Sequence, residues 1–299
     1  MSYTDQVGQG GPFGKFSEFV GRHRVAVFYT LLLALSWPYL FLTMESGDAL
    51  SRTVPLILVG PSACAFLVVL TAHGAAGVRT LASGILRVGA PVRVYLLVLV
   101  GVPACFLVSA YAVAFLAHPG QVAAPSTASL VNTAANFAAI FVLAGLGEEF
   151  GWRGLALPRL QERHGPLVAS ALVGLMWFAW HLPLGFREQG WAAGNAVFLV
   201  SVPAATFFYT WLFNRTGGSI LAVALLHTTE NAFGWLYQDA FSFEPPGFLF
   251  FDALKAGMWV LLAVVAVVLT RGTLAHRRDR EHGASRTRGR STGGARSSS

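Results

Sequence analysis

The sequence predicts an all-α fold, a polytopic membrane bundle of about eight transmembrane helices. Three observations predict it. Hydrophobic residues make up 55% of the 299 positions and charged residues only 12%, about half the usual share for soluble domains, and the mean hydropathy is +0.58. Apolar runs of near-bilayer length recur along the chain. The charges between them alternate in sign bias from one connection to the next.

The runs are placed at about 25–44, 53–72, 94–116, 131–147, 166–184, 195–213, 219–238 and 250–270. Each is close to the roughly 20 residues that a helix needs to cross the hydrocarbon core. The chain divides into an N-terminal cytoplasmic segment (1–24), a membrane-embedded domain (25–271, with a motif core at 140–235) and an Arg-rich tail (272–299). The first apolar run is long and has no small-residue cleavage site after a short core, so it reads as an uncleaved helix rather than a signal peptide. Lys15, Arg22 and Arg24 precede it.

The connections carry an independent signal. The N-terminus, 73–93 (Arg79, Arg87, Arg93), 148–165 (Arg153, Arg159, Arg163), Arg215 and the tail are basic. The intervening loops are acidic, balanced or uncharged. The positive-inside rule then puts both termini in the cytoplasm of a bacterial-type cell membrane. Seven or nine spans would break the alternation. Segments 74–93 and 150–163 mix apolar residues with Arg and read as interfacial amphipathic pieces, with Pro158 interrupting the second. The stretch from Arg271 to Ser299 holds eight Arg against Asp279 and Glu281, so it supplies +6 of the net +7. Its Arg, Ser, Gly and Thr composition predicts a disordered tail. Such a tail fixes topology and meets anionic lipids, at about 1 kcal/mol per basic residue near the surface; no nucleic acid is expected as a partner. Cys64 and Cys105 lie within apolar runs and indicate neither a disulfide framework nor a cysteine metal site.

The chemistry concentrates in the polar groups of the apolar runs. Glu148 and Glu149 follow Val131–Leu146 directly. Each charge costs about 2.5–3.5 kcal/mol at the bilayer centre and less near an interface, so such groups are paired, solvated or used. Arg153 is four residues after Glu149 and pairs with it on a helix, leaving Glu148 free. A structural Glu–Arg clasp is the alternative reading. Only His181 and His227, of eight histidines, fall within apolar spans. Trp177 lies one turn before His181, and Asn231 one turn after His227, with Glu230 in reach. A lone membrane His is most often an interhelical hydrogen-bonding residue. Convergence of Glu148, Glu149, His181, His227 and Asn231 on one cavity accounts for all of them together.

Such a set contains a base and an electrostatic stabiliser. A desolvated Glu takes a proton from water and returns it to a leaving amine. A neutral His orients the same water, and a second His with an Asn amide donates to the oxygen of a tetrahedral intermediate. Alternatively, His181, His227 and Glu148 are a donor set for a single zinc ion with an open position for water. No His-Glu-x-x-His or Gly-x-Ser-x-Gly pattern is present, which leaves serine and cysteine nucleophiles without support.

At these residues the sequence resembles the CAAX-protease and bacteriocin-processing family (CPBP, or ABI) of intramembrane endopeptidases. The family's pattern is Glu-Glu-x-x-x-Arg, then Phe-x-x-x-His, then His-x-x-x-Asn on successive helices. Here it reads Glu148-Glu149-Phe150-Gly151-Trp152-Arg153, then Trp177 to His181, then His227 to Asn231, with Trp177 replacing the usual Phe. The resemblance covers about 140–235. It implies an eight-helix endopeptidase open to the cytosolic leaflet, acting on a membrane-associated peptide or protein. Glu148 would be the base, His181 its partner, His227 and Asn231 the oxyanion stabilisers, and Glu149 and Arg153 the support. Both metal-dependent and metal-free mechanisms have been described for the family. Two other classes compete: a non-catalytic immunity or interaction protein of the same fold, and a proton-coupled transporter. The transporter reading requires an internal repeat, and none is apparent in the sequence.

Overall fold

The structure, a computed structural model, describes residues 12–42, 56–117, 124–189, 193–238 and 245–276. Among the described residues the regular structure is entirely helical. Helix α1 (Pro12–Arg22) precedes α2 (Arg24–Leu42). Helix α3 (Pro61–Ala82) follows a single turn at Leu56–Val59 and turns at Gly74. Helix α4 (Val102–Ala117) is entered through Val92–Leu96 and the π-helical stretch Leu97–Gly101. Helix α5 (Thr127–Ile140) continues without a break through irregular turns into α6 (Leu157–Gln189), and α7 (Ala193–Arg215), α8 (Ile220–Gln238) and α9 (Pro245–Leu269) complete the bundle.

Six helical runs are long and apolar enough to cross a membrane by length and composition. One of these, Thr127–Pro183, is 57 residues long, far more than the roughly 20 that one crossing takes. The chain departs from helical geometry within it at Gly165 (φ 75°), which divides it into two stretches, one led by α5 and one formed by the later part of α6. Helix α8 has 19 residues but is not among the six. His227, Thr228, Thr229, Glu230 and Asn231 dilute its apolarity. With α8 included, the bundle has the eight helices that the sequence predicts.

Its outer face is apolar. Val100, Val108, Leu261, Val264 and Val268 are all more than half exposed, as lipid-facing residues are in a polytopic protein. Inside, Trp152, Trp259, Tyr209, Phe28 and Leu32 are fully buried. Helix α7 packs on α9 and α6, and α8 packs on α5 and the turns that follow it. Both cysteines are free.

Two sequence expectations change. Most of segment 150–163 does not lie on the surface as an interfacial piece would; only its end, at Glu162 and Arg163, is exposed. Phe150, Trp152, Arg153, Leu155 and Leu157 are all buried, because this stretch packs against α3 in the middle of the bundle. Pro158 does not interrupt it either: as the second residue of α6 it occupies a position where a missing N–H leaves no hydrogen bond unmade. Helix α1 packs on α3 and leaves Phe13, Phe16 and Phe19 exposed. The expected disorder of the tail falls almost wholly outside the described residues, as do most residues of the 45–52 and 239–249 loops.

Candidate active site

Glu148 and Glu149 occupy a single α-helical turn, Gly147–Glu149, between two π-helical stretches, Phe141–Leu146 and Phe150–Ala156. π-Helical turns are uncommon and concentrate at functional sites. They disturb the ladder of backbone bonds, and one freed carbonyl is recovered by a side chain: Ser62 Oγ donates to Leu146 O at 2.6 Å. Two glycines let this irregular backbone sit deep. A Cβ on Gly145 would lie 2.8 Å from Thr228 Oγ1 and 2.9 Å from Ala224 O of α8. A Cβ on Gly151 would lie 2.7 Å from the backbone of Pro61 in α3. Any side chain at either position would push the carboxylates away from their partners.

The two carboxylates then part company. Glu149 is fully buried and belongs to a closed ionic knot. Arg153 Nη1 donates to its Oε1 and Oε2 at 2.8 and 3.0 Å. His227 Nδ1, from α8, donates to Oε1 at 2.9 Å. The guanidinium lies over the rings of both Tyr209 (4.3 Å to the centroid) and Trp177 (4.6 Å), which meet each other edge-on at 5.7 Å. Its Nε and Nη2 have no hydrogen-bond partner among the described residues, so the two π faces are their neighbours.

Glu148 is 8% exposed and is held on one side only. Its Oε2 accepts from Trp177 Nε1 at 2.9 Å and from Trp152 Nε1 at 3.2 Å. Oε1 accepts no hydrogen bond among the described residues. The charge of Glu148 acts on both His181 and His227. His181 lies on α6, with Nδ1 at 2.9 Å from Trp177 O. A carbonyl only accepts, so Nδ1 carries the proton, and in the neutral ring Nε2 holds a lone pair. The same logic applies to His227, whose Nδ1–H is spent on Glu149. Its Nε2 donates only when the ring is an imidazolium.

Glu148, Glu149, Arg153, His181 and His227 are therefore neighbours, drawn from the Gly147–Ala156 turns, α6 and α8. Asn231 stands apart. It lies one turn beyond His227 but is exposed and forms no hydrogen bond among the described residues. The zinc set of His181, His227 and Glu148 does not fit a metal ion as it stands: among the described residues no three His, Cys, Asp or Glu side chains come together as a metal-holding group. Oε2 of Glu148 is already engaged by two N–H donors, and the Trp177 ring lies 5.3 Å from the His227 ring and 6.2 Å from the His181 ring.

Glu230 is not in this group either. Its Oε1 accepts from Lys255 Nζ (2.9 Å) and Trp259 Nε1 (3.1 Å), and its Oε2 from Tyr209 OH (2.9 Å). The sequence reading left out Trp152, Tyr209, Trp259 and Lys255 and valued Trp177 only as an aromatic ring. Trp152 carried a signal in its spacing, four residues after Glu148, the same interval as Arg153 after Glu149. The others come from different helices and had none.

Comparison with known proteins bears on the same stretch through a family model. Residues 130–233 match the family model described as type II CAAX prenyl endopeptidase, Rce1-like. A curated relative, CAAX prenyl protease 2 of Methanococcus maripaludis, is 32% identical over 102 residues, which cover 31% of this chain and 37% of the relative. The family-model match spans the carboxylates and both histidines, and with the curated relative it bears out the resemblance to the CPBP family.

Proposed function

We propose that this CPBP-family chain is an intramembrane endopeptidase, and that Glu148 activates the water that cleaves the peptide bond. One observation carries the reading: a buried carboxylate with one oxygen fixed by two N–H donors and the other unengaged among the described residues, beside two imidazoles whose Nε2 atoms are likewise unengaged among them.

A water donating one O–H to Glu148 Oε1 and the other to His181 Nε2 is oriented by both. Glu148 takes the first proton as the water oxygen bonds to the scissile carbonyl carbon. The carbonyl π electrons move onto oxygen, and the oxyanion accepts from the Nε2–H of a protonated His227 and from the Asn231 amide. Glu149 and Arg153 hold His227 in place. With Glu148 and Glu149 ionised and Arg153 and His227 protonated, the site carries no net charge, which suits a membrane interior. The protonated Glu148 then gives its proton to the leaving amine as the C–N bond breaks, and the free carboxylate is restored.

The substrate in this reading is a membrane-associated peptide or protein. The alternating loop charge supports both termini on the cytoplasmic side of a bacterial-type membrane, with the site near that leaflet and the basic tail against anionic lipid. The division into the 1–24 segment, the 25–271 domain and the 272–299 tail is part of the same proposal. No step requires a metal, and zinc held by His181, His227 and Glu148 would require these side chains to leave the arrangement described above.

The test uses purified full-length protein in bilayers and lipid-anchored peptides. These begin with prenylated C-terminal peptides, the class in the name of the Methanococcus relative. Cleavage is expected to survive complete chelation and to fall about 10²–10⁴-fold in Glu148→Gln, the range of general-base assistance. Full activity in Glu148→Gln sinks the reading. Loss on chelation reversed by zinc replaces it with the metal mechanism.

A further inference from the structure

We infer that Trp152 and Trp177 are positioning residues that clamp Glu148 through their indole N–H groups, and that the Trp at 177 sets which carboxylate oxygen does the chemistry. The inference rests on Glu148 acting as the base.

Both indoles are buried, Trp152 fully and Trp177 at 5% exposure. They approach from different elements. Trp152 is on the π-helical turns one turn after Glu148, and Trp177 is on α6. Both nonetheless end on the same oxygen, Oε2, at 3.2 and 2.9 Å. Two N–H donors on one oxygen fix the rotation of the carboxylate about its Cγ–Cδ bond. They leave Oε1 as the only oxygen with lone pairs free for a water. Charge-assisted bonds of this kind are the strong ones, and here they lie in a desolvated site.

Trp177 also joins the rest of the site. Its face lies under the Arg153 guanidinium at 4.6 Å, and its ring meets His227 and Tyr209 edge-on at 5.3 and 5.7 Å. Its backbone carbonyl accepts from His181. A Phe in this position keeps an aromatic ring and the backbone carbonyl, and loses the N–H together with part of the ring area. Trp177 is thus more than an aromatic replacement.

Nearby Trp180 provides the contrast. It is 3% exposed and packs edge-on against Trp152 (6.2 Å) and His181 (4.6 Å), yet its Nε1 has no partner among the described residues. Losing that N–H breaks no hydrogen bond.

The experiment takes the full-length protein in detergent and compares Trp152→Phe, Trp177→Phe and Trp180→Phe. Steady-state cleavage of the same lipid-anchored peptide is measured, together with the indole ¹⁵N–¹H resonances of wild type and Glu148→Ala. We expect the first two variants to lower kcat by roughly 10- to 100-fold with KM unchanged, as loss of a hydrogen bond to a charged group implies. Trp180→Phe should match wild type. The Trp152 and Trp177 indole resonances should shift in Glu148→Ala, and that of Trp180 should not.

Unmoved Trp152 and Trp177 resonances overturn the clamp. Resonances that move while both Phe variants keep wild-type kcat overturn its role in positioning. Equal losses in all three Phe variants reduce it to packing. Wild-type activity in Glu148→Gln is the separate failure of the base reading, and the positioning role falls with it even where the resonances respond.

Discussion

Glu148 and Glu230 are both carboxylates among packed helices, yet their oxygens are used differently. Glu230 is saturated: Lys255 and Trp259 donate to one oxygen and Tyr209 to the other. Glu148 has both of its donors on one oxygen and none on the other. A saturated carboxylate ties helices together, here α7, α8 and α9. A carboxylate with an open oxygen in a desolvated site has unmet hydrogen-bonding capacity, which is expensive to keep. Burial alone does not tell the two apart. The distribution of donors over the two oxygens does.

The same substitution at both positions breaks the comparison most directly. Glu148→Gln should reduce kcat about 10²–10⁴-fold with little change in thermal midpoint, since its amide oxygen still accepts from the two indoles. Glu230→Gln should do the reverse, keeping kcat and lowering the midpoint. His181→Ala and His227→Ala should reduce kcat as severely as Glu148→Gln. Equal turnover in Glu148→Gln and Glu230→Gln removes the distinction.

Asn231 sharpens it. Exposed and unbonded, it contributes nothing visible to the resting site. As an oxyanion donor, Asn231→Ala should lower kcat about 10²–10³-fold and leave the thermal midpoint unchanged. Unchanged kcat means that His227 stabilises the oxyanion without it.

The sequence made much of this legible. Eight spans follow from composition, run length and loop charge, and the pairing of Arg153 with Glu149 follows from a four-residue spacing on one helix. Local spacing fails where the chain leaves ideal geometry. The π-helical turns around Gly147–Glu149 take residues 150–157 into the core, although their Arg and apolar mixture reads as interfacial. Contacts between helices distant in sequence were illegible as well. Nothing in Leu226-His227-Thr228-Thr229-Glu230-Asn231 says that His227 faces Glu149 while Glu230 faces Lys255, 25 residues on. The role of Trp177 was hidden for a related reason: a motif written in residue classes records an aromatic and not its N–H.

Glu149 tests the closed knot. Glu149→Gln leaves Arg153 fully buried without a counter-charge and His227 without an anionic acceptor. Breaking one side of a buried ion pair costs about 3–5 kcal/mol, so the variant should show a large drop in thermal midpoint in detergent. A double change, Glu149→Gln with Arg153→Met, should recover most of that stability and little of the activity, because His227 is still unanchored. Full recovery of kcat in the double variant would mean that the knot only balances charge.

The Glu230–Lys255 pair should show the smallest effect, and on stability alone. Lys255 is 27% exposed and Glu230 13%, so water screens part of their attraction and the ammonium regains some solvation when the pair is broken. Lys255→Met keeps the stem that packs between α8 and α9 and removes only the charge. Glu230 then retains Tyr209 and Trp259 as donors, which distinguishes this variant from one that strips a buried carboxylate bare. Its thermal midpoint should fall by less than that of Glu149→Gln, with kcat and KM at wild-type values. Arg153 lies over the Tyr209 ring. A drop in kcat for Lys255→Met would therefore show the two carboxylate centres coupled through Tyr209, and the division between a working and a structural carboxylate would have to be withdrawn.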